Sequence, residues 1–427
     1  MVNQNSQGRR RVSFGWAGVI VLAGILVGGG ASLVPIIVAN AAPVEIEVWH
    51  RWSGANQEAL QAVIKEFQQK NTTIAVKEMG MPGEYVELLQ KMIANIAAGK
   101  QPPDIFIGGY DYLNYIAEEL KPVSTDVLGG TEAREVFGRF EPAVLKLGQV
   151  GNKQVGMPYA MSNIVTFYNP DLFRAAGLSP TAMPKTWSEV FAFGKTLKEK
   201  TGKYPIHIQD VSNWTDQALI FSNGGRYLSD DGKCVAFNNP EAAGALDMWA
   251  KLHAQGLSPK GTDAEMTASF TAGGIGMYVA SIMKLASLRQ NSKFEIGVAP
   301  FPTFEGKKPA LPIGGAGLFV FSKDKAKQKA AWELVKYFVS EEGLRTWTKT
   351  GYLGPTKAKM PMAKGQEVAY SQLPYSVPWL SWPGAAKGME VDRIFLNTRN
   401  KIRFGEVSAK EGLEKATQQS NALLGCK

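Results

Sequence analysis

Apolar and polar positions along residues 43–427 switch repeatedly between a period of two and a period near 3.6, the spacings of a strand and of an amphipathic helix. Val44–Trp49 alternates as a strand. Leu60, Val63, Ile64 and Phe67 put an apolar stripe on a helix over Asn56–Lys70. Thr73–Met79 reads as a second strand. Val86, Leu89, Met92, Ile93 and Ile96 mark a helix over Tyr85–Ala98, and a short apolar strand, Asp104–Ile107, follows the breakers Gly99, Pro102 and Pro103. This β-α-β-α-β order predicts an α/β fold with a mostly parallel sheet and helices on both faces. A second alternation begins after Val155. Val165–Tyr168 is a strand, and Asn169-Pro170-Asp171 opens a short helix, Leu172–Ala176, ended by Gly177. Thr186 with Glu189 three residues on is a capping-box start, and Glu241–Gln255 is a helix closed by Gly256. The segment Ala299–Gly317, with four prolines and glycines at 314, 315 and 317, predicts a crossing between two bodies. A strand, Leu318–Phe321, and a helix, Lys325–Ser340, follow it.

Within this pattern the stretch Ala97–Leu120, AAGKQPPDIFIGGYDYLNYIAEEL, is the most informative. It places an aromatic and a carboxylate, Tyr110 and Asp111, at the carboxyl end of a strand. Small ligands bind there in open α/β sheets. Glycines let a ligand approach the backbone, Tyr stacks on a sugar face, and Asp accepts from hydroxyls. An ordinary strand–helix turn with Asp111 as N-cap fits the same residues.

At 427 residues the chain holds about two or three domains. Residues 1–41 stand apart: Arg9-Arg10-Arg11 precedes a run without charge from Val12 to Val44, and Ala39-x-Ala41 is a cleavage pattern. Arg9-Arg10 followed by Val12-Ser13-Phe14 partly matches a twin-arginine signal. Trp16–Ala39 is also long enough to span a bilayer as an uncleaved anchor. Export with no Cys near the leader points to the periplasm. The only cysteines, Cys234 and Cys426, fit one disulfide or two free thiols. The net charge is +9, but acidic residues are interspersed throughout. That is a solvated surface rather than a nucleic-acid footprint.

Few catalytic or cofactor patterns occur. His50, His207 and His253 form no HExxH, and there is no Walker loop and no GxSxG. No metal or cofactor is expected. Asp230-Asp231-Gly232-Lys233 reads as a turn, since no further oxygen ligands follow at EF-hand spacing. What recurs instead is a stacker beside a hydrogen-bonder at strand ends: Trp49-His50-Arg51-Trp52-Ser53, Tyr110-Asp111, Ser162-Asn163, Asn213-Trp214, Ser281, Gly314-Gly315 and Gly351-Tyr352. Several such groups together suit a polyhydroxylated ligand.

These residues, in order, resemble the family 1 extracellular solute-binding proteins of bacterial ABC importers. The resemblance covers nearly all of 43–427. It is carried by PPDIFIGGYDYLNYIAEEL, by VGMPYAMSNIVTFYNPDLFRAAGL followed by PKTWSEV, by FTAGGIGMYVAS, by IGGAGLFVFSK and by WTKTGYLGPT. It implies the type II periplasmic-binding-protein fold: two α/β lobes, a hinge and a ligand cleft between them. The implied lobes are 43–160 plus 309–350 and 161–308 plus 351–427. Within the family the chain looks most like the glycerol-3-phosphate-binding branch. Matching positions imply ligand contacts from Tyr85, Asp111, Ser162, Trp214, Ser281, Gly315 and Tyr352, and Asp111 also falls where the maltose-binding protein uses an Asp. Trp52 adds aromatic surface, and Trp379 and Trp382 suit an uncharged glycoside. The branch's late, phosphate-gripping Arg has no counterpart in Trp382-Pro383-Gly384-Ala385-Ala386-Lys387-Gly388. Lys387 supplies a charge there, but no bidentate fork.

The resemblance therefore implies a monomeric, non-enzymatic subunit that delivers a di- or oligosaccharide or a glycosylated polyol to a permease with a separate ATPase. Glycerol-3-phosphate or a glycerophosphodiester is the alternative ligand. An exported carbohydrate-active enzyme, with two carboxylates facing across the cleft, and an envelope protein anchored by residues 16–39 are the readings from other classes.

Overall fold

The computed structural model describes residues 42–426. The signal or anchor expected at 1–41 lies outside the described residues.

In the first of two main sheets, Val44–His50 lies between Ile74–Gly80 and Ile105–Gly109 and runs parallel to both. Its crossovers are the helices Gly54–Lys70 and Tyr85–Ala97. Leu60, Val63, Ile64 and Phe67, the stripe read from spacing, are all buried against this sheet. Burial of each such side chain stabilises by about 1.5–3 kcal/mol. Leu311–Val320 joins this sheet antiparallel, with Ile105–Gly109 on one side and Met157–Ser162 on the other. Its first three residues run parallel to Ser376–Pro378. The second sheet has the order Gly297–Ala299, Ile164–Tyr168, Ile275–Ser281, Tyr204–Ile208. Helices such as Trp187–Thr201 and Pro240–Ala254 flank it, the former opened by the Thr186–Glu189 capping box.

The chain passes between the sheets at Asn163, the single residue between Met157–Ser162 and Ile164–Tyr168. The Asn163 carboxamide donates to the Ala369 carbonyl at 2.7 Å, which fixes the passage. The return runs from Ala299 to Leu311, inside the expected crossing. The crossing is shorter than expected, however, because the strand begins at Leu311 and not at Leu318. Every residue of this strand is buried, so it shows no alternation. Its Pro312 sits near the strand start. Its Gly315 has φ +124°, and a Cβ there would lie 1.9 Å from the Ala160 carbonyl oxygen. Glycine is what allows the two strands to approach.

Cys234 and Cys426 are disulfide-bonded across 192 residues of sequence. The bond ties the turn before Val235 to the end of the helix Ala409–Leu424. The Asn421 side chain holds the same two segments, accepting from Val235 N–H at 2.9 Å and donating to Val235 O at 3.0 Å. Replacing both cysteines by serine is expected to leave the fold intact but lower stability by about 2–4 kcal/mol. Urea denaturation with and without reductant checks this, and an unchanged midpoint would refute it. No described helix is long and apolar enough to cross a membrane.

Candidate ligand-binding site

Strand ends from both sheets converge on one small cavity of about 80 Å³. Arg51 follows Val44–His50, Ser162 ends Met157–Ser162, Ser281 ends Ile275–Ser281 and Gln209 follows Tyr204–Ile208. All four line the cavity, with Gly314 and Gly315 of the long strand beneath. Helix starts complete it: Glu84 and Tyr85 open one helix and Trp214 opens another. The volume is well below the roughly 300–1,000 Å³ of small-molecule sites. A larger recess of about 690 Å³ adjoins it and shares Glu84, Val211 and Lys284 with it.

The floor is shaped by the glycines. A Cβ on Gly314 would lie 2.8 Å from the Trp214 ring and 3.0 Å from Ser162 Oγ, so both side chains rest on bare backbone. The Trp214 indole N–H donates to Pro312 O at 2.9 Å, which fixes the ring's tilt. Trp379 stands beside it, ring centroids 6.2 Å apart. Opposite, the Arg51 guanidinium lies 4.7 Å from the Tyr85 ring centroid and donates to Glu84 at 2.7 Å and to Gly83 O at 2.6 Å. The Tyr85 hydroxyl is buried and has no hydrogen-bond partner. The Tyr352 hydroxyl accepts from the Trp52 indole N–H at 3.0 Å and faces the Met283 sulfur at 3.1 Å.

Tyr85, Ser162, Trp214, Ser281, Gly315 and Tyr352 thus line one cavity. Trp52, Asp111, Trp382 and Lys387 do not line it. Trp52 is buried behind Tyr352 and packs at a tilt against Trp347, so it orients the tyrosine. The turn expected to expose Tyr110 and Asp111 buries both instead. Asp111 makes no capping bond, and its Oδ1 has no partner. That oxygen and the Tyr85 ring both pack over Gly109, where a Cβ would meet them at 2.3 and 2.8 Å. Burial, and secondarily the Asp392 charge, pushes the Asp111 carboxyl well above the usual range. Trp382 packs in the core against Tyr227, Phe237 and Phe395 and donates to Asp392 at 2.8 Å. Lys387 is exposed in the first turn of Ala386–Arg403.

Arg51, Glu84, Gln209 and Lys284 are cavity residues that motif reading passed over, whereas Trp379, read as an aromatic suited to a glycoside, does line the cavity. Arg51 stood inside the strand-end cluster Trp49–Ser53, and its position just after a strand was the available signal. Glu84, a helix N-cap, carried none. His207, Asp210 and Asp263 bring possible metal-ligating atoms within 4.8 Å of one another. Arg403 and Lys284 already neutralise the two carboxylates. Burial holds the His207 imidazole down at about 4. That set has no spare negative charge for a divalent cation.

The family model "Bacterial extracellular solute-binding protein" matches residues 52–344. The chain belongs to that family. Among its relatives, the sn-glycerol-3-phosphate-binding periplasmic protein UgpB of Escherichia coli K12 is 26% identical over 419 residues, covering 91% of this chain and 94% of that protein. The cyclic alpha-maltosyl-1,6-maltose binding protein of Arthrobacter globiformis is 27% identical with TM-score 0.73, covering 90% of this chain and 99% of that one. UgpB of Mycobacterium tuberculosis in complex with glycerophosphocholine has TM-score 0.77 at 23% identity, with coverages of 90% and 99%. These solute-binding proteins share the two-lobed α/β architecture.

Proposed function

We propose that this solute-binding protein captures a carbohydrate, a di- or oligosaccharide or a glycosylated polyol, and presents it to the permease of an ABC importer driven by a separate ATPase. The observation that carries the reading is the cavity itself. Strand ends of two sheets meet there, aromatic faces at Trp214 and Trp379 flank hydroxyls at Ser162 and Ser281, and the buried Tyr85 hydroxyl lacks a partner. Buried polar groups are rarely left unpaired, and a ligand hydroxyl would satisfy this one.

The cavity is too small for a disaccharide as it stands, so entry requires the lobes to part. Lobes of 43–160 plus 309–350 and 161–308 plus 351–427, hinged at Asn163 and the other crossings, fit such a motion. Asn114 donates to the carbonyls of Ser381 and Trp382 at 3.3 and 3.4 Å, contacts that opening would break. Capture rather than catalysis is favoured by the lining, which holds a single carboxylate, Glu84, among the described residues, and Arg51 occupies it. Glycoside hydrolysis needs a facing pair. The protein would act as a monomer in the periplasm.

Glycerophosphodiester binding is the second reading. It is favoured by Arg51 and Lys284 on the cavity wall and by the similarity to the two UgpB proteins. A thermal-shift panel of disaccharides, glycosylglycerols, glycerol-3-phosphate and glycerophosphocholine separates the two. A ligand at 100 times its Kd adds about 2.7 kcal/mol of stability. A shift with a neutral glycoside supports sugar capture, a shift with the phosphodiester alone supports the second reading, and no shift with any member overturns both.

A further inference from the structure

Of the side chains lining the cavity, the cations among the described residues are Arg51 and Lys284. Each already has a carboxylate. Arg51 donates to Glu84 at 2.7 Å, and Lys284 donates to Asp263 at 2.9 Å. Asp263 is itself fixed by the Tyr278 hydroxyl at 2.5 Å. Glu84 and Lys284 line both the inner cavity and the outer recess, and Asp263 lines the recess. The two pairs therefore stand together where a ligand must enter. They also feel one another: burial raises the Glu84 carboxyl, Arg51 opposes that, and Asp263 and Lys284 act on it in opposite directions. Two positive and two negative groups leave this wall with no net charge.

We propose that Glu84 is a specificity-determining residue: by occupying Arg51, it keeps the site for ligands of zero net charge, neutral or zwitterionic, and rejects anions such as a phosphate monoester. The proposal rests on the capture reading above and narrows its ligand class. A guanidinium is the side chain best suited to a bidentate grip on phosphate. Here one edge of that fork is spent on Glu84 and the Nε on the Gly83 carbonyl. A phosphate monoester entering this wall would have to displace a half-buried, ion-paired carboxylate or sit beside it, and like charges in one site repel strongly. A zwitterion or a polyol meets no such cost.

The test measures the Kd for glycerol-3-phosphate by isothermal titration with the wild-type protein, with Glu84→Gln and with Arg51→Gln/Glu84→Gln. Glutamine keeps the volume at the helix start, and thermal melts report whether each variant folds. Wild type is expected to bind glycerol-3-phosphate at least tenfold more weakly than Glu84→Gln, and the double variant is expected to lose the gain. A gain that survives in the double variant, or a Glu84→Gln protein that binds glycerol-3-phosphate no better than wild type, overturns the proposal. Should Glu84→Gln misfold, Asp263→Asn frees Lys284 instead and must give a gain of the same sign. Maltose and glycerophosphocholine titrated into wild type test the capture reading separately. If neither binds while Glu84→Gln gains the anion, the charge rule stands and the ligand reading fails.

Discussion

Gly315→Ala is expected to destabilise the protein by about 3–5 kcal/mol, from backbone strain and overpacking together, and to abolish ligand-induced stabilisation. The new methyl would point at the Ala160 carbonyl, 1.9 Å from its oxygen and 2.7 Å from its carbon. That peptide cannot yield easily. Ala160 is paired with Ala316 across the sheet, and its carbonyl accepts the Tyr110 hydroxyl at 3.1 Å. The residue's φ of +124° is in addition one that L side chains rarely adopt. Because Gly314 and Gly315 carry the floor under Trp214 and Ser162, a shift here moves two cavity walls at once. Gly314→Ala is the informative partner. Its methyl meets side chains, the Trp214 ring and Ser162 Oγ, which can rotate, so it should perturb affinity with a smaller loss of stability. Urea denaturation and thermal shift separate the two effects. A Gly315→Ala protein as stable as wild type would show that the strand contact is less constraining than described.

Arg399→Met is expected to cost about 3–5 kcal/mol, the range for removing one partner of a buried ion pair. Arg399 donates to Asp216 at 3.1 and 3.4 Å and to the Asp210 carbonyl at 3.0 Å. Asp216 is fully buried on the helix Trp214–Ser222, two residues on from the cavity tryptophan. Burial pushes its carboxyl up to about 6 even with Arg399 and Arg403 beside it. A carboxyl whose folded pKa lies above its unfolded one favours the fold at low pH and loses that contribution as pH rises through the folded value. Loss of Arg399 raises that value further, so the deficit should be smaller at about pH 5 than at about pH 8. Adding Asp216→Asn should restore most of the stability at neutral pH, because the uncompensated charge is gone. A single variant within about 1 kcal/mol of wild type would contradict this account.

Much of the architecture was legible in side-chain spacing. The β-α-β-α-β opening, the Thr186 capping box and the cap at Asn169 follow from local rules; the helix Gly54–Lys70 buries its whole stripe, whereas Tyr85–Ala97 buries Leu89 and Met92, half-buries Val86 and Ile93 and leaves Ile96 exposed. Trp187 and Trp249, on the helices Trp187–Thr201 and Pro240–Ala254, lie in the core. The strand Leu311–Val320 was half hidden because a strand flanked on both sides and buried on both faces has no alternation, and its prolines and glycines mimic a loop. The site was readable where a stacker or hydroxyl sits at a strand end, as at Ser162, Ser281 and Tyr352. It was not readable where a residue's place depends on a distant partner. Asp111 looked exposed because nothing near it in sequence reveals that Tyr85 packs beside it over Gly109. Trp382 looked available because its partners Tyr227, Phe237 and Phe395 are spread over the chain. Glu84 gave no signal in the sequence, and the fold is what brings Arg51 to it.

The chain has ten tryptophans; among the described residues, Trp214 and Trp379 alone line the cavity. Their rings are close enough to exchange excitation energy. A bound solute that excludes water from this pair changes both the colour and the yield of their emission, while the buried indoles at positions 52, 187, 249 and 347 contribute a constant background. The protein therefore carries an unlabelled optical reporter at its own binding site. Trp214→Phe and Trp379→Phe would split that signal into its two sources, so that occupancy can be followed by light in real time without attaching a dye.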